Sequence, residues 1–138
     1  MRPSINLIAP GLATLLFLSG AWIPAAETDQ GRELYLKYCS SCHGTDGRGS
    51  GPVSPFLTIK VPDLTLLRKN NKGLYPFDRV MSSIDGSRAV RGHGDREMPV
   101  WGEVFEKEAR ESDSGKYPRL TSLLKVQAIA EYVSTLQR

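Results

Sequence analysis

Cys39-Ser40-Ser41-Cys42-His43-Gly44 places two thiols and an imidazole within five consecutive positions. On a helix, residues three apart share a face, so Cys39 and Cys42 present their sulfurs in one direction with His43 beside them. A c-type haem needs that set: each thiol bonds one vinyl group of the porphyrin, and the histidine supplies an axial nitrogen to the iron. Tethering the ring next to the imidazole makes the proximal bond a reaction at very high effective concentration. Three rival readings are weaker. Structural zinc closes with four protein ligands, whereas the chain offers two Cys and two His (His43 and His93), and His43 is too close to Cys42 for easy chelation. A thioredoxin-like pair follows a strand and opens a helix, while this pair ends a helical segment. A Cys39–Cys42 disulfide closes a very small, strained loop and contributes little.

Upstream, Arg2 precedes an apolar stretch from Leu12 to Ile23, then Pro24-Ala25-Ala26 and the polar Glu27-Thr28-Asp29. The order of a basic residue, a short apolar core and small residues is that of a secretory signal peptide, expected to cover residues 1–26. An uncleaved membrane anchor is the alternative, although a spanning helix needs about 20 apolar residues. Either outcome puts residues 27–138 outside the cytoplasm, in the periplasm of a bacterium, where haem attachment and an otherwise cysteine-free chain are both at home.

Residues 27–138 suffice for one domain with a modest core, which a haem would help fill. The chain carries 18 Lys and Arg against 15 Asp and Glu, and removing Arg2 narrows the excess further. Nucleic acid, which calls for a strongly basic face, is not an expected partner. Arg68, Lys69 and Lys72 form a local basic cluster, either a solvated face or a docking patch for an acidic redox protein.

No repeat and no second Cys-x-x-Cys-His occurs, so one haem per chain is expected. A first helix is predicted over 29–38, with Leu34, Tyr35 and Tyr38 on its apolar side and Gly31 one turn before Tyr35. The glycine-rich run from Gly44 to Pro52 must be loop, with backbone close against the ring; it lacks the Gly-Lys-Ser/Thr end of a phosphate-binding loop. Short helices are predicted after Pro62-Asp63, over 64–69, and after Pro76, where Phe77, Val80, Met81 and Ile84 share a side and Gly86 ends the helix. Met81 reads as core. The last helix, over 121–136, aligns Leu123, Val126, Ile129, Ala130, Val133 and Leu136. Nothing alternates like a strand, so the fold class is all-α.

For the sixth iron position the chain offers Met98, in Arg96-Glu97-Met98-Pro99-Val100-Trp101-Gly102, where Pro99 stiffens a loop that presents the thioether. His93, five residues earlier, is the competing ligand.

Taken together, Gly31 and Tyr35, Cys39-Ser-Ser-Cys42-His43-Gly44, Gly51-Pro52, Met98-Pro99-Val100-Trp101-Gly102 and Ile129 to Tyr132 resemble the class I monohaem c-type cytochromes of the bacterial secreted type. The resemblance implies a cytochrome c fold in which the first and last helices cross, with Gly31 against Tyr132. It implies Cys39 and Cys42 as covalent anchors of one haem c, and His43 and Met98 as axial iron ligands. It also implies the Pro52 carbonyl as partner of the other imidazole nitrogen, a bond that fixes the ring and raises its basicity. Trp101 is the expected haem contact, with Arg88 or Arg91 near the propionates. Residues 106–118 depart from the compact pattern and are expected to form a polar surface loop. The function implied is one-electron transfer without substrate chemistry at the iron, hence not an enzyme. The roles open to it are a periplasmic carrier serving a dehydrogenase, oxidase or cytochrome complex, a fixed haem subunit of a larger oxidoreductase, or a haem enzyme or gas sensor with an open iron.

Overall fold

The structure is a computed structural model that describes residues 25–88, 100–112 and 116–138. Five α-helices carry the described residues: α1 (Ala25–Tyr38), α2 (Ser40–His43), α3 (Phe77–Asp85), α4 (Trp101–Glu111) and α5 (Pro118–Thr135). Three short 3-10 turns lie at Ser54–Phe56, Leu64–Leu66 and Lys69–Asn71, and no strand is present among the described residues. The all-α expectation therefore holds.

α5 is the central element, with α1, α3 and α4 all packed against it. Val126, Ile129, Ala130 and Val133 are buried as predicted, but the first position of the predicted side is corrected: Leu123 is exposed and Ser122 is buried, its hydroxyl donating to the Gly102 carbonyl at 2.8 Å. The helix starts earlier than predicted because Pro118 fits its first turn, where a missing N–H costs nothing. α1 meets α5 at Gly31, where an added Cβ would stand 2.2 Å from the Ala128 carbonyl oxygen and 3.0 Å from the Tyr132 Cβ. Gly31 thus lets two backbones touch, next to Tyr132 as the resemblance implies. One turn on, the Tyr35 and Tyr132 rings pack at 5.2 Å, and Tyr35 is completely buried.

Residues 106–111 correct the expectation of a polar loop over 106–118: with 101–105 they are helical. They form α4, because Phe105 and Ala109, four apart, bury one face against α5, while the charges that read as loop occupy the other. Glu106 pairs with Arg110 and Lys107 with Glu111 across one turn of that outer face. The helix predicted over 64–69 is instead two separate 3-10 turns. α3 ends at Gly86 in the left-handed conformation, as predicted, and Met81 packs against the core. The expected signal segment lies outside the described residues up to Pro24, and α1 begins at Ala25.

The far end of the chain returns to the 63–68 segment. Arg138 donates from its backbone N–H to the Thr65 carbonyl (3.1 Å), from Nε to Thr65 Oγ1 (2.7 Å) and from a guanidinium nitrogen to the Asp63 carboxylate (2.9 Å). The Gln137 amide donates to the Leu64 carbonyl and accepts the Arg68 N–H.

Candidate haem site

α1 runs directly into the Cys-x-x-Cys-His segment. The Cys39 N–H still donates to the Tyr35 carbonyl (2.9 Å), and the His43 N–H donates to the Cys39 carbonyl (2.9 Å), so the motif is a further turn set at the helix end. A helix this short leaves its last carbonyls without internal donors. The glycine-rich run supplies them: the N–H groups of Gly49, Gly51 and Val53 donate to the carbonyls of His43, Cys42 and Ser41 at 2.7, 3.0 and 2.9 Å. Two glycines make the approach possible. A Cβ on Gly51 would lie 2.3 Å from the Ser41 carbonyl oxygen, and one on Gly49 would lie 2.5 Å from that of Val61. These glycines close against peptide carbonyls and hold the motif in place, and none of residues 44–52 lines the cavity onto which Cys39 and His43 open. Tyr35 adds a buried brace, its hydroxyl donating to the Gly44 carbonyl at 2.7 Å, and burial pushes the phenol above its ordinary range.

Cys39 and His43 open into a cavity of about 210 Å³ that also touches Trp101. Its floor is α5, through Ile129 and Val133, and its walls are Leu64 and Leu67 on one side and Val80 and Ile84 of α3 on the other. Polar groups gather at Asn70, Asn71, Arg79 and Ser83, with an Arg79 guanidinium nitrogen donating to Asn71 Oδ1 at 2.7 Å. His43 is buried, its Nδ1 included. Burial, with the neighbouring Cys42 second, pushes the Cys39 thiol up to about 12, so it stays protonated at neutral pH. The two sulfurs are not joined in a disulfide.

Cys39, His43 and Trp101 all line this one cavity. Cys42 is half-buried and does not line the cavity. Pro52 is exposed, but its neighbours Gly51 and Val53 are both bonded to the motif helix, which fixes the peptide that carries the Pro52 carbonyl. Arg88 is exposed and does not line the cavity. Met98, His93 and Arg91 lie outside the described residues. The two ends of the segment that carries them are clamped together: a Cβ on Gly86 would stand 2.2 Å from Val100 Cγ1, and one on Gly102 would stand 2.6 Å from the Asp85 carbonyl oxygen. Trp101, between these contacts, stacks on Phe105 at 5.8 Å and meets Tyr38 edge-on at 5.3 Å.

Sequence reasoning missed Arg79 and Ser83. The signal was there, because 79, 80, 83 and 84 fall on one side of a helix whose Val80 and Ile84 were already read as facing inward. Asn70 and Asn71 gave no signal, being uncharged residues in an irregular stretch.

The residues fit a porphyrin. Apolar walls suit its faces, a cysteine and a buried histidine stand at one edge, and an arginine with two amides meets the need of carboxylates at a polar rim. Among the described residues, no group of three or more His, Cys, Asp and Glu could hold a metal ion through protein ligands alone.

No curated protein and no solved structure matches the chain. The family model described as cytochrome c oxidase, cbb3-type, subunit III matches residues 26–112, well over half of the chain and the whole stretch from α1 through the cavity walls to α4. With a helical fold and a Cys-x-x-Cys-His segment opening on an apolar cavity, the chain belongs to this family and is a c-type cytochrome domain with covalently attached haem c, built for haem-based electron transfer.

Proposed function

We propose that this protein is an extracytoplasmic one-electron carrier whose single haem c is held by Cys39 and Cys42 and ligated by His43 and Met98. The observation that carries the reading is the convergence of Cys39, His43 and Trp101 on one apolar cavity. Haem c supplies a reversible one-electron couple when bound. The chain's own residues set the conditions for it. His43 is fixed by the hydrogen bonds from Gly49 and Gly51 to its own and the preceding carbonyl. The Pro52 carbonyl, on the same pinned loop, is the proposed acceptor for His43 Nδ1–H, which keeps the imidazole in the tautomer that leaves Nε2 for the metal. Met98 is the proposed second protein ligand of the iron, and the described residues flanking its segment, Gly86 and Val100, are in contact. Apolar walls and a thioether ligand disfavour the additional charge of the ferric state, giving a relatively high reduction potential and no open position for a substrate. Arg79 and Asn71, rather than Arg88, are the proposed propionate partners, and Trp101 packs on the ring.

Residues 1–26 are the proposed export signal, and no helix among the described residues is long and apolar enough to cross a membrane. The family description favours a second role, as the haem subunit of an oxidase complex, which retention of the N-terminal segment would serve. Cell fractionation separates the two, the carrier appearing in the periplasmic extract and the subunit with membranes.

The ligation is tested on the absorption spectrum of the oxidised, haem-loaded protein. A weak far-red band from methionine-to-ferric charge transfer is expected, together with its loss in Met98→Ala. A band that survives in Met98→Ala, or is absent from the wild type, overturns His43/Met98 ligation.

A further inference from the structure

The most exposed large apolar side chain of the described residues is Phe56, at 84% exposure, and it stands close to the haem attachment segment. Phe56 ends the 3-10 turn Ser54–Phe56, which packs against α2 and is stiffened by Pro52 and Pro55, both exposed, and by Ser54, whose hydroxyl donates to the Gly51 carbonyl at 2.7 Å. Val53, 40% exposed, donates its N–H to the Ser41 carbonyl between the two cysteines. A single exposed aromatic is ordinary, but Phe56 stands in an exposed apolar run with Pro52, Val53 and Pro55 on one rigid turn, the grouping that marks a contact face. The eleven residues from Gly49 to Ile59 contain no charged side chain, in a chain where 24% of residues are charged. The Cys42 carbonyl accepts the Gly51 N–H at 3.0 Å, one residue before this turn.

We propose that the turn from Pro52 to Phe56 is the docking face for the electron-transfer partner, and that this partner is a redox protein presenting an apolar, uncharged face of its own. The inference rests on the electron-transfer reading above. Charge complementarity selects the occupant: a charged partner face would lose its hydration against this surface and find no counter-charge. The exposed basic cluster of Arg68, Lys69 and Lys72 belongs to another segment, the 3-10 turn Lys69–Asn71, and would serve an acidic partner instead. Phe56 is the anchor, an aromatic of the kind that dominates interface energetics, and Val53 and the two prolines surround it.

The chain itself offers such a face, so the probe is a second copy. One electron passes from the ferrous haem of one molecule to the ferric haem of another, leaving overall composition unchanged, and exchange broadening in proton NMR spectra of mixed-valence samples gives the rate. The expected result is a self-exchange rate nearly independent of salt and reduced about tenfold by Phe56→Asp, with Lys69→Glu/Lys72→Glu leaving it unchanged. Raising the concentration of the ferrous protein should shift backbone amides within 50–57, and Phe56→Asp should abolish those shifts. A rate that rises with salt and responds to the lysine variant but not to Phe56→Asp overturns the proposal in favour of an acidic partner on the basic cluster. A rate that neither variant changes overturns it in favour of another face. Absence of any reversible one-electron couple in the wild type overturns the underlying reading instead. Phe56 is too exposed for its replacement to unfold the domain, and an unchanged absorption spectrum checks this.

Discussion

Replacing Gly31 with alanine sets two known effects of opposite sign against each other. Alanine is the better helix former by about 1 kcal/mol at an interior position. Against this, the new Cβ would stand 2.2 Å from the Ala128 carbonyl oxygen, where ordinary contact begins at 3.4 Å. The helices must separate by roughly 1.2 Å at their crossing, the difference between those distances. The obstacle is main chain, so no rotamer change relieves it. Neighbouring contacts loosen with the crossing, including the Tyr35–Tyr132 ring pair at 5.2 Å. Overpacking of this kind costs about 3 kcal/mol at the upper end of its usual range. The net loss is about 2 kcal/mol, which lowers the melting temperature of a domain this size by about 8 °C. Thermal melts of haem-loaded wild type and Gly31→Ala, followed by far-ultraviolet circular dichroism, measure it. Adding Ala128→Gly should restore nothing, because the obstructing atom is the carbonyl and not the Ala128 side chain. An unchanged or higher melting temperature in Gly31→Ala, or rescue by Ala128→Gly, would refute the reasoning.

Tyr35→Phe removes the hydroxyl that donates to the Gly44 carbonyl and leaves that carbonyl only the longer bond from the Gly47 N–H at 3.2 Å; denaturant titration should show a loss of about 1 kcal/mol with unchanged slope. The Asp63 carboxyl is held below the ordinary carboxylate range by hydrogen bonds from Thr65 and by Arg138, and Glu108 is held low by Lys125 and Tyr38. Both therefore stabilise the fold fully above their unfolded values near 4, and that contribution disappears as pH falls through the lower folded values. Stability measured between about pH 6 and pH 2 should decline on acidification, and Asp63→Asn should flatten part of the slope; an identical slope in the variant counts against the assignment.

The helices at each end of the domain were legible because their apolar positions recur at helical spacing and because Gly31 and Tyr35 sit in register with Tyr132. The proximal half of the site was legible for a different reason: Cys39, Cys42 and His43 are adjacent in sequence, so their grouping needs no tertiary information. α4 was misread because its outer face is densely charged, and a run such as Glu106-Lys107-Glu108 looks like surface when Phe105 and Ala109 are not given weight. The purpose of the glycines was only half visible. Their number announces close approach, but what they approach, the carbonyls of Ser41 and Val61, depends on how the chain folds back. Arg79 shares a helix side with Val80 and was readable from it, whereas Asn70 and Asn71 reach the cavity from the turn Lys69–Asn71, where no local pattern marks them.

The closure of the chain on itself at Arg138 has a temporal consequence. The attachment segment is made some ninety residues before the bonds from Gln137 and Arg138 that fasten Leu64 and Thr65, and before Ile129 and Val133, which form the cavity floor. A growing chain thus passes through a stage in which both thiols and the imidazole are present and the residues that complete the pocket are not. During that stage the segment is an accessible peptide, open to the attachment machinery, and the ring can be joined to it without having to enter a finished cavity. A ring joined at that stage would be enclosed as α5 and the returning end fold over it, so the residues that finish the pocket are the last to be made.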